Sequence, residues 1–178
     1  MARLVSIISF FKSLLFPAYI TRFSKLTKII GYRFNKTEYL EQAFTHRSVS
    51  SEPRENYERL EFLGDAVIDI IISRELMRYY PDGDEGLLTK KRSALVQQSF
   101  LSKIGNMLNI MDYLIVEPNV DLNNEKVVNK QQANLVEALV GALYLDGGIK
   151  PAKIMIINTI WKHRNEAWKT INYKGQLI

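Results

Sequence analysis

Apolar residues recur every three or four positions along almost the whole chain from Ser24 onward, which is the period of an amphipathic α-helix. Strict alternation of apolar and polar residues is rare, and no hairpin dipeptide separates strand-like stretches. The longest helical stretch is YERLEFLGDAVIDIIISRELMRYY, from Tyr57 to Tyr80. The pattern therefore predicts an all-α domain built as a helical bundle.

Turn and capping residues divide this pattern into separate helices. Asn35 is predicted to cap a helix at its N-terminus, and the polar segment SVSSEPREN predicts a loop before the long helix. The segment LLTKKRSALVQQSFLSKIGNMLNI predicts a pair of helices. A later helix is predicted to end at Gly147 and Gly148, and Pro151 is placed to begin a last helix that runs to about Trp168.

The chain has 178 residues, a formal net charge of +5 and no cysteine. This length can bury one core, and nothing in the sequence suggests two independent domains. We expect an apolar and basic arm at residues 1–23, too short to span a membrane, and one domain at residues 24–170. The absence of cysteine excludes disulfides and thiolate chemistry, which fits a reducing compartment such as the cytoplasm.

Four acidic residues interrupt the apolar long helix: Glu58, Glu61, Asp65 and Asp69. At about 100° per residue they fall within one narrow sector of the helix. Like charges spaced three or four residues apart repel each other, so something positive should compensate them. The simplest interpretation is a solvated face whose charge is balanced by basic residues elsewhere.

A second apolar helix, in ANLVEALVGALYL, carries a polar pair of its own at Asn134 and Glu137. Buried polar groups need partners, so this pair argues against the simplest interpretation. If the two helices pack together, Glu61 and Asp65 would converge with the pair, and the loop acid Glu85 would lie nearby. Such an all-oxygen site suits a hard cation, Mg²⁺ or Mn²⁺.

Other kinds of chemistry find less support in the sequence. A di-iron site would need Glu-x-x-His motifs, but Val140 follows Glu137 at that spacing, and His46 and His163 do not have a metal-ligand spacing. His46 is better explained as a hydrogen-bonded residue at a helix end. No nucleophile elbow and no phosphate-binding glycine loop occurs. An oxygen-only cation site on a basic protein instead suggests phosphodiester hydrolysis.

The segment ERLEFLGDAV, Glu58 to Val67, resembles the signature sequence of the ribonuclease III family of double-stranded-RNA endonucleases. LEQAFTHRS upstream, and DEGLLTKKRSALV and NLVEALVGALYLDGG downstream, resemble the other blocks of the family in the expected order. The resemblance covers roughly Thr27 to Trp168. It implies the all-α ribonuclease III endonuclease fold and a role in processing ribosomal and messenger RNA.

The resemblance also implies roles for the acids. Glu61, Asp65 and Glu137 match the catalytic metal ligands, with Mg²⁺ as cofactor and Mn²⁺ as a substitute. Asn134 stands where the family commonly has aspartate, and we interpret it as a tolerated metal ligand. Glu58 and Glu85 match acids nearer the RNA, and Asp69 matches none, which leaves it a solvated acid.

Substrate and partner follow from the same resemblance. Family members dimerise, and each subunit cuts one strand of double-stranded RNA to leave 5′-phosphate and 3′-hydroxyl ends. Phe62 matches the residue that inserts into the partner subunit of this homodimer, and the resemblance favours this interface position over that of an ordinary core phenylalanine. Lys90, Lys91 and Arg92 are our candidates for contacts with RNA phosphates.

Members of the family usually continue into a double-stranded-RNA-binding domain of roughly seventy residues, for which this chain has no room. Residues 171–178 are expected to be a linker or the start of that domain, because YKGQLI resembles its first helix. We expect the chain to be a truncated form. Asn134 and the missing domain leave open an alternative, a cleavage-incompetent module that binds RNA or acts as a scaffold.

Overall fold

The computed structural model describes residues 22–175, with side chains described as far as Lys169. These residues fall into two compact units that divide between Arg33 and Phe34. The described part of the first unit contains a short helix, α1 (Ser24–Ile30), which ends at Gly31 in the left-handed conformation with φ of 67°. Except for its last two residues, the arm predicted at residues 1–23 lies outside the described part of the chain.

The second unit is helical, and the all-α prediction is confirmed for the described residues, which contain no strand and only an isolated bridge between Thr45 and Ile115. Its elements are α2 (Thr37–Phe44), α3 (Glu58–Tyr79), α4 (Glu85–Val96), α5 (Gln98–Met107), a 3-10 turn (Ile110–Tyr113), α6 (Glu125–Gly147), α7 (Ile149–Ile156), a π-helical turn (Ile157–Trp161) and α8 (Arg164–Gly175). No helix within residues 22–175 is long and apolar enough to cross a membrane.

Helix α6 lies at the centre of this unit and packs most extensively against α3 and α5. From Leu135 to Leu143 every residue of α6 except Glu137 is buried, which explains why its sequence is apolar on all sides. The inner face of α3 is buried through Leu60, Val67, Ile71 and neighbours on the same face. Since α3 has only one buried face, its acids remain available on the other.

Two glycines allow α3 and α6 to approach at backbone distance. A Cβ atom at Gly64 would collide with the carbonyl oxygen of Glu137, and one at Gly141 would collide with the carbonyl oxygen of Leu60. Because each helix contributes one glycine, the contact is reciprocal and admits no side chain on either side. This glycine crossing fixes the position of Glu137 relative to the acids of α3.

The predicted cap at Asn35 is wrong, because α2 begins one residue later, with Lys36 as its N-cap and no capping side chain from that residue. The carboxylate of Asp146, near the end of α6, instead accepts the backbone N–H groups of Asn35 and Lys36, both at 2.8 Å. A carboxylate distant in the sequence thus satisfies donors ahead of a helix for which local capping was expected.

The last helix also differs from its prediction. It begins at Ile149 rather than Pro151, it is interrupted by the π-helical turn, and α8 continues past Trp168 to Gly175. At the turn, the Thr159 hydroxyl donates to the carbonyl oxygen of Met155 at 2.7 Å. Such back-bonding competes with the regular helical ladder, and the propensities of single residues do not reveal it.

Candidate active site

A cleft of about 740 Å³ opens between the N-terminal halves of α3 and α6. Six of the residues singled out as site candidates from the sequence line it: Glu58, Glu61, Phe62, Asp65, Asn134 and Glu137. The other lining residues are His46, Arg47, Tyr57, Val127, Lys130 and Gln131. The cleft therefore brings together acids from two helices that lie some seventy residues apart in the sequence.

The start of α3 is held by a buried asparagine that the sequence pattern showed only as part of a loop. The Asn56 Oδ1 atom accepts the backbone N–H of Glu58 at 3.1 Å. Its Nδ2 atom donates to the carbonyl oxygens of Ser50 at 3.1 Å and Glu52 at 3.2 Å. Asn56 thus ties the loop to the first turn of α3 and sets the orientation from which the acidic face begins.

The carboxyl groups in the cleft repel one another in a partly buried setting. Burial, followed by the charges of Asp65 and Glu61, raises the pKa of Glu137 to about 8. Burial and the neighbouring Glu58 raise the pKa of Glu61, and burial and Asp69 raise that of Asp65. The protein alone therefore leaves much of this negative charge uncompensated.

Two basic side chains offer partial compensation. Lys130 lines the cleft and acts on Glu61, where its charge opposes the rise in the pKa of that carboxyl group. At the rim, the Arg47 Nη1 atom lies 3.7 Å from the Glu58 Oε1 atom, and both side chains are well exposed. Neither cation is buried beside Glu137.

His46 lines the cleft and has a structural hydrogen bond, as expected for a residue near a helix end. The backbone N–H of Ser48 donates to its Nδ1 atom at 3.1 Å, so the proton of the neutral ring lies on Nε2. Burial and the charge of Arg47 lower the pKa of His46. Its ring therefore adds little positive charge to the acids at neutral pH.

Tyr57, Lys130 and Gln131 were not predicted as site residues. Tyr57 is buried beneath the cleft, and its hydroxyl donates to the Gln131 Oε1 atom at 3.2 Å. Lys130 and Gln131 precede Asn134 by one helical turn, so helical spacing alone could have placed them on the same face of α6. Tyr57 comes from outside that helix, and only the packed structure shows its contact.

The donors in the cleft fit a hard divalent cation in their chemistry, since carboxylate and amide oxygens are the ligands that Mg²⁺ and Mn²⁺ prefer. Burial and, after it, the neighbouring acids raise the pKa of Glu137 to about 8, and a bound cation would relieve the repulsion among these carboxylates. Within residues 22–175, however, no three His, Asp or Glu side chains are gathered closely enough to form a ready-made metal cage. Asp65, Glu137, Glu61 and Asn134 are the residues that would hold the ion.

Several other predicted residues lie outside the cleft. Glu85 is the first residue of α4 rather than a loop residue, and its Oε1 atom accepts the hydroxyl of Thr89 at 2.8 Å. Asp69 lies on the same face of α3 as the cleft acids but beyond the cleft, with its Oδ1 atom 3.9 Å from the Arg92 Nε atom. It is half-exposed and has a cationic neighbour, so it is not simply a solvated acid.

The three basic residues proposed from the sequence to contact RNA phosphates differ in their surroundings. The Arg92 Nη1 atom donates to the Ser73 hydroxyl at 2.9 Å. The Lys91 ammonium lies over the ring of Trp168, 4.5 Å from its centroid. Lys90 is exposed. The structure therefore leaves Lys90 as the member of this group best placed to reach a polyanion.

Phe62 is not a core residue, because 82% of its surface is accessible to solvent. It lies at the edge of the cleft, beside a second concavity lined by Gln42, Pro53, Arg54, Glu58, Arg59, Leu60, Leu63 and Leu145. Ile70 and Met77 are exposed farther along the same helix, at 63% and 64%. Phe62 is therefore the most exposed of the large apolar side chains of α3.

Residues 36–163 match the family described as Ribonuclease-III-like. The chain belongs to the ribonuclease III family. The Ribonuclease 3 of Anaplasma phagocytophilum (strain HZ) is 43% identical to it over 138 residues, which are 78% of this chain and 58% of that protein. The Ribonuclease 3 of Zunongwangia profunda is 42% identical over 164 residues, 88% of this chain and 66% of that protein.

Among solved structures of the ribonuclease III family, the nuclease domain from Campylobacter jejuni is similar to this chain with a TM-score of 0.73 and 34% identity. The similarity covers 79% of this chain and 96% of that one, and that protein shows structural flexibility in a region involved in dimer formation. The fold and the sequence motifs therefore indicate the same family. The chain spans about three fifths of the length of the curated relatives that it matches.

Proposed function

We propose that this chain is the catalytic domain of an endoribonuclease that uses a divalent cation to hydrolyse double-stranded RNA. The observation that carries the proposal is the cleft in which Glu137 faces Glu61 and Asp65 and keeps a pKa of about 8. A perturbed acidic cluster in a cleft is a common property of catalytic sites. Membership of the ribonuclease III family supports double-stranded RNA as substrate and 5′-phosphate and 3′-hydroxyl ends as products.

The acids of the cleft have distinct parts in the proposed reaction. Asp65 and Glu137 hold the cation, and Glu61 and Asn134 complete its oxygen ligands from the same walls. When bound, Mg²⁺ or Mn²⁺ would supply Lewis-acid activation of water and neutralise the charge that develops on the phosphate. Glu58 lies at the rim, where its pairing with Arg47 keeps a guanidinium next to the path of the substrate.

Basic side chains at the edge of the cleft hold the RNA backbone. Arg47 and Lys130 line the cleft and are exposed, so each can contact a phosphate while the acids face the scissile bond. Lys90 is the third candidate. Lys91 and Arg92 lie outside the cleft and are held by their contacts with Trp168, Ser73 and Asp69.

The active form is proposed to be a homodimer. Phe62 is an exposed aromatic residue next to an open concavity, and a second copy would present the same pair of features in a self-complementary contact. Phe62→Ala should shift the protein toward a monomer in light scattering at micromolar concentration. Met107→Ala, which removes an exposed apolar side chain from α5, is the matched control.

The decisive experiment is incubation of the purified protein with a long RNA duplex and Mg²⁺ or Mn²⁺. We expect cleavage by the parent protein and a loss of at least a hundredfold in Glu137→Gln, because a carboxylate ligand is replaced by an uncharged and weaker amide ligand. Asp82→Asn is the matched control, since this exposed acid follows α3 and lies outside the cleft. Sensitivity of the products to phosphatase and ligase reports the ends.

Asn134 and the lack of a gathered metal cage within the described residues favour a second candidate, an RNA-binding module without cleavage activity. If the parent protein at high concentration binds the duplex but does not cut it with either cation, this second function replaces the first. Faster cleavage by Asn134→Asp at low Mg²⁺ would mean that the amide limits cation binding. Equal rates would mean that the amide suffices.

A further inference from the structure

A second concavity of about 700 Å³ adjoins the acidic cleft, and the two share a wall made of His46, Arg47 and Glu58. The rest of this side concavity is lined by Ser48, Ser51, Asn56, Asn119 and Val120. Among its described lining residues only those of the shared wall are ionisable, and there Arg47 and Glu58 oppose each other in charge. Beyond the wall, the lining is therefore uncharged and mostly polar.

His46 is held in the shared wall by several contacts at once. Its backbone N–H donates to the carbonyl oxygen of Ile115 at 2.8 Å, and its carbonyl oxygen accepts the N–H of Val49 at 3.0 Å. Its ring packs against the buried Tyr57 ring, with the centroids 5.8 Å apart. Its Nδ1 atom accepts the backbone N–H of Ser48 at 3.1 Å and lies 2.9 Å from the Ser48 hydroxyl. The orientation of the ring is therefore well defined.

The second nitrogen of this ring is a donor without a partner. Since Nδ1 accepts the backbone N–H of Ser48, the proton of the neutral ring belongs to Nε2. No group within residues 22–175 accepts a hydrogen bond from Nε2. His46 is only partly buried, so a molecule bound across the two concavities has access to its ring.

The acceptor that suits this donor best is a ribose 2′-hydroxyl. A phosphate is held mainly by cations, whereas burial and Arg47 lower the pKa of His46 and keep its ring neutral. Double-stranded RNA presents its 2′-hydroxyls in a wide, shallow minor groove. Ser51 and Asn119 offer further uncharged groups, since both are exposed and neither side chain has a hydrogen-bond partner in the described part of the chain.

We propose that His46 is a specificity-determining residue, whose Nε2–H donates to a 2′-hydroxyl oxygen of the RNA, and that the side concavity holds the adjoining riboses. This role rests on the proposed function, because it takes double-stranded RNA as the substrate. It gives the domain a way to distinguish RNA from DNA. The acids of the cleft do not provide one, since they act on the phosphate group that both nucleic acids share.

Two amides at position 46 separate the two nitrogens of the ring. In His46→Asn the amide oxygen takes about the place of Nδ1 and keeps the contact with the Ser48 N–H, but the side chain is too short to place a donor at Nε2. His46→Gln is long enough to place an amide N–H there. His163→Asn alters the other histidine, which lies outside both concavities, and is the matched control. Thermal melts check that every variant is folded.

The test combines these variants with altered substrates in a double-mutant cycle. The probe is an RNA duplex, prepared also as a series of copies in which one ribose at a time is replaced by 2′-deoxyribose. Dissociation constants are measured by fluorescence anisotropy at fixed salt, with Glu137→Gln added to each protein so that cleavage is slow. Cleavage rates of the proteins without that change are measured in parallel.

We expect a single deoxyribose near the cut to weaken binding by the parent about three- to tenfold, the size expected for one hydrogen bond. His46→Asn should bind the unaltered RNA more weakly by the same factor and lose less than about twofold more at that deoxyribose. His46→Gln should recover part of the preference for ribose. His163→Asn should behave like the parent.

If His46→Asn is as sensitive to the deoxyribose as the parent, or if no single deoxyribose weakens binding by the parent, the inference is overturned. Slower cleavage by His46→Asn with unchanged binding and unchanged preference would also overturn it, because His46 would then act in the chemical step. A parent that binds RNA without cutting it would end the proposed cleavage, while the binding cycle would still decide the role of His46. No binding to the duplex would end both proposals.

Should His46→Asn not fold, Asn119→Ala decides, because Asn119 is exposed and lines the side concavity. If the concavity holds the RNA, this variant should lose the preference of the parent for ribose at an adjoining position. An unchanged deoxyribose profile in Asn119→Ala would then overturn the inference.

Discussion

Two glutamates on neighbouring parts of this domain have opposite electrostatic surroundings. Glu166, in the first turn of α8, is bonded by the Lys103 ammonium, and its Oε1 atom lies 2.9 Å from the His163 Nδ1 atom. These two hydrogen bonds lower the pKa of Glu166 to about 2. Glu137 has acids for neighbours, and burial together with those acids raises its pKa to about 8.

The comparison separates a carboxylate that supports the fold from one that the fold must accommodate. Glu166 links α5 to α8 on the exposed surface, and its ionised form is stabilised by the Lys103 ammonium. Glu137 is half-buried beside charges of its own sign, so ionisation works against folding until a cation arrives. A protein retains such an arrangement where function needs it, and the following changes test whether the two sites differ in this way.

The largest effect is expected from Gly64→Ala, because its Cβ would collide with the backbone of Glu137 at the glycine crossing. The two helices would have to separate, which should lower the free energy of unfolding by about 3 kcal/mol or more in urea titrations. Gly86→Ala is the matched control, since its Cβ would meet only the Asp84 Oδ1 atom at 3.7 Å. Similar losses in both variants would refute the role of the crossing.

Divalent cations should stabilise the acidic cleft and leave the surroundings of Glu166 unaffected. With Mg²⁺ at a hundred times its dissociation constant, we expect a stabilisation of about 2.7 kcal/mol, seen as a rise in Tm at fixed protein concentration. EDTA should reverse the rise, and Glu137→Gln should abolish most of it. A rise that persists in Glu137→Gln but is absent in Glu166→Gln would place the ion elsewhere.

Glu137→Gln should change how stability depends on pH. The folded protein holds the Glu137 proton up to about pH 8, whereas the unfolded chain releases it near the ordinary value of 4.5. The contribution of Glu137 to the free energy of unfolding is therefore fully present below about pH 4.5 and is lost as the pH rises through 8. Without added cations, the variant should be more stable than the parent by about 2 kcal/mol at pH 9, a figure reduced because Glu137 is partly exposed. At pH 4 the two proteins should have similar stability.

The converse variant, Glu166→Gln, should have the smallest effect and the opposite sign. The depressed pKa of Glu166 means that its contribution is present above about pH 4.5 and is lost as the pH falls through about 2. Because the side chain is exposed, Tm at pH 7 should fall by no more than a few degrees. A parent–variant difference that grows as the solution is acidified would contradict this assignment.

The sequence predicted the parts of the fold that depend on local pattern. The long helix, the helix pair and the polar breaks follow from the spacing of apolar residues and from turn residues, which act within a few positions. The predicted cap at Asn35 failed because α2 begins one residue later, and the donors ahead of it are satisfied by Asp146, more than a hundred residues away. The π-helical turn was not predicted, because no residue type marks it.

The acids of the site were identified from their spacing and from the family resemblance, and the structure places Glu61, Asp65 and Glu137 on one cleft. Spacing gave no indication of Tyr57 and its bond to Gln131, because a tertiary contact decides which side chain lies beneath the cleft. For Phe62, the spacing of apolar residues did not separate a core position from an interface position, and the family resemblance favoured the interface. Its high exposure decides for the surface.

The glycine crossing also limits how this site can change during evolution. Glu61 and Asp65 lie within one turn of Gly64, and Glu137 lies one turn before Gly141, so the acids and the contact share one helical register. A single residue inserted between an acid and its glycine would rotate that acid by about 100° out of the cleft. Lineages should therefore keep the spacing within both helices constant, while the loop at 118–123 can vary in length.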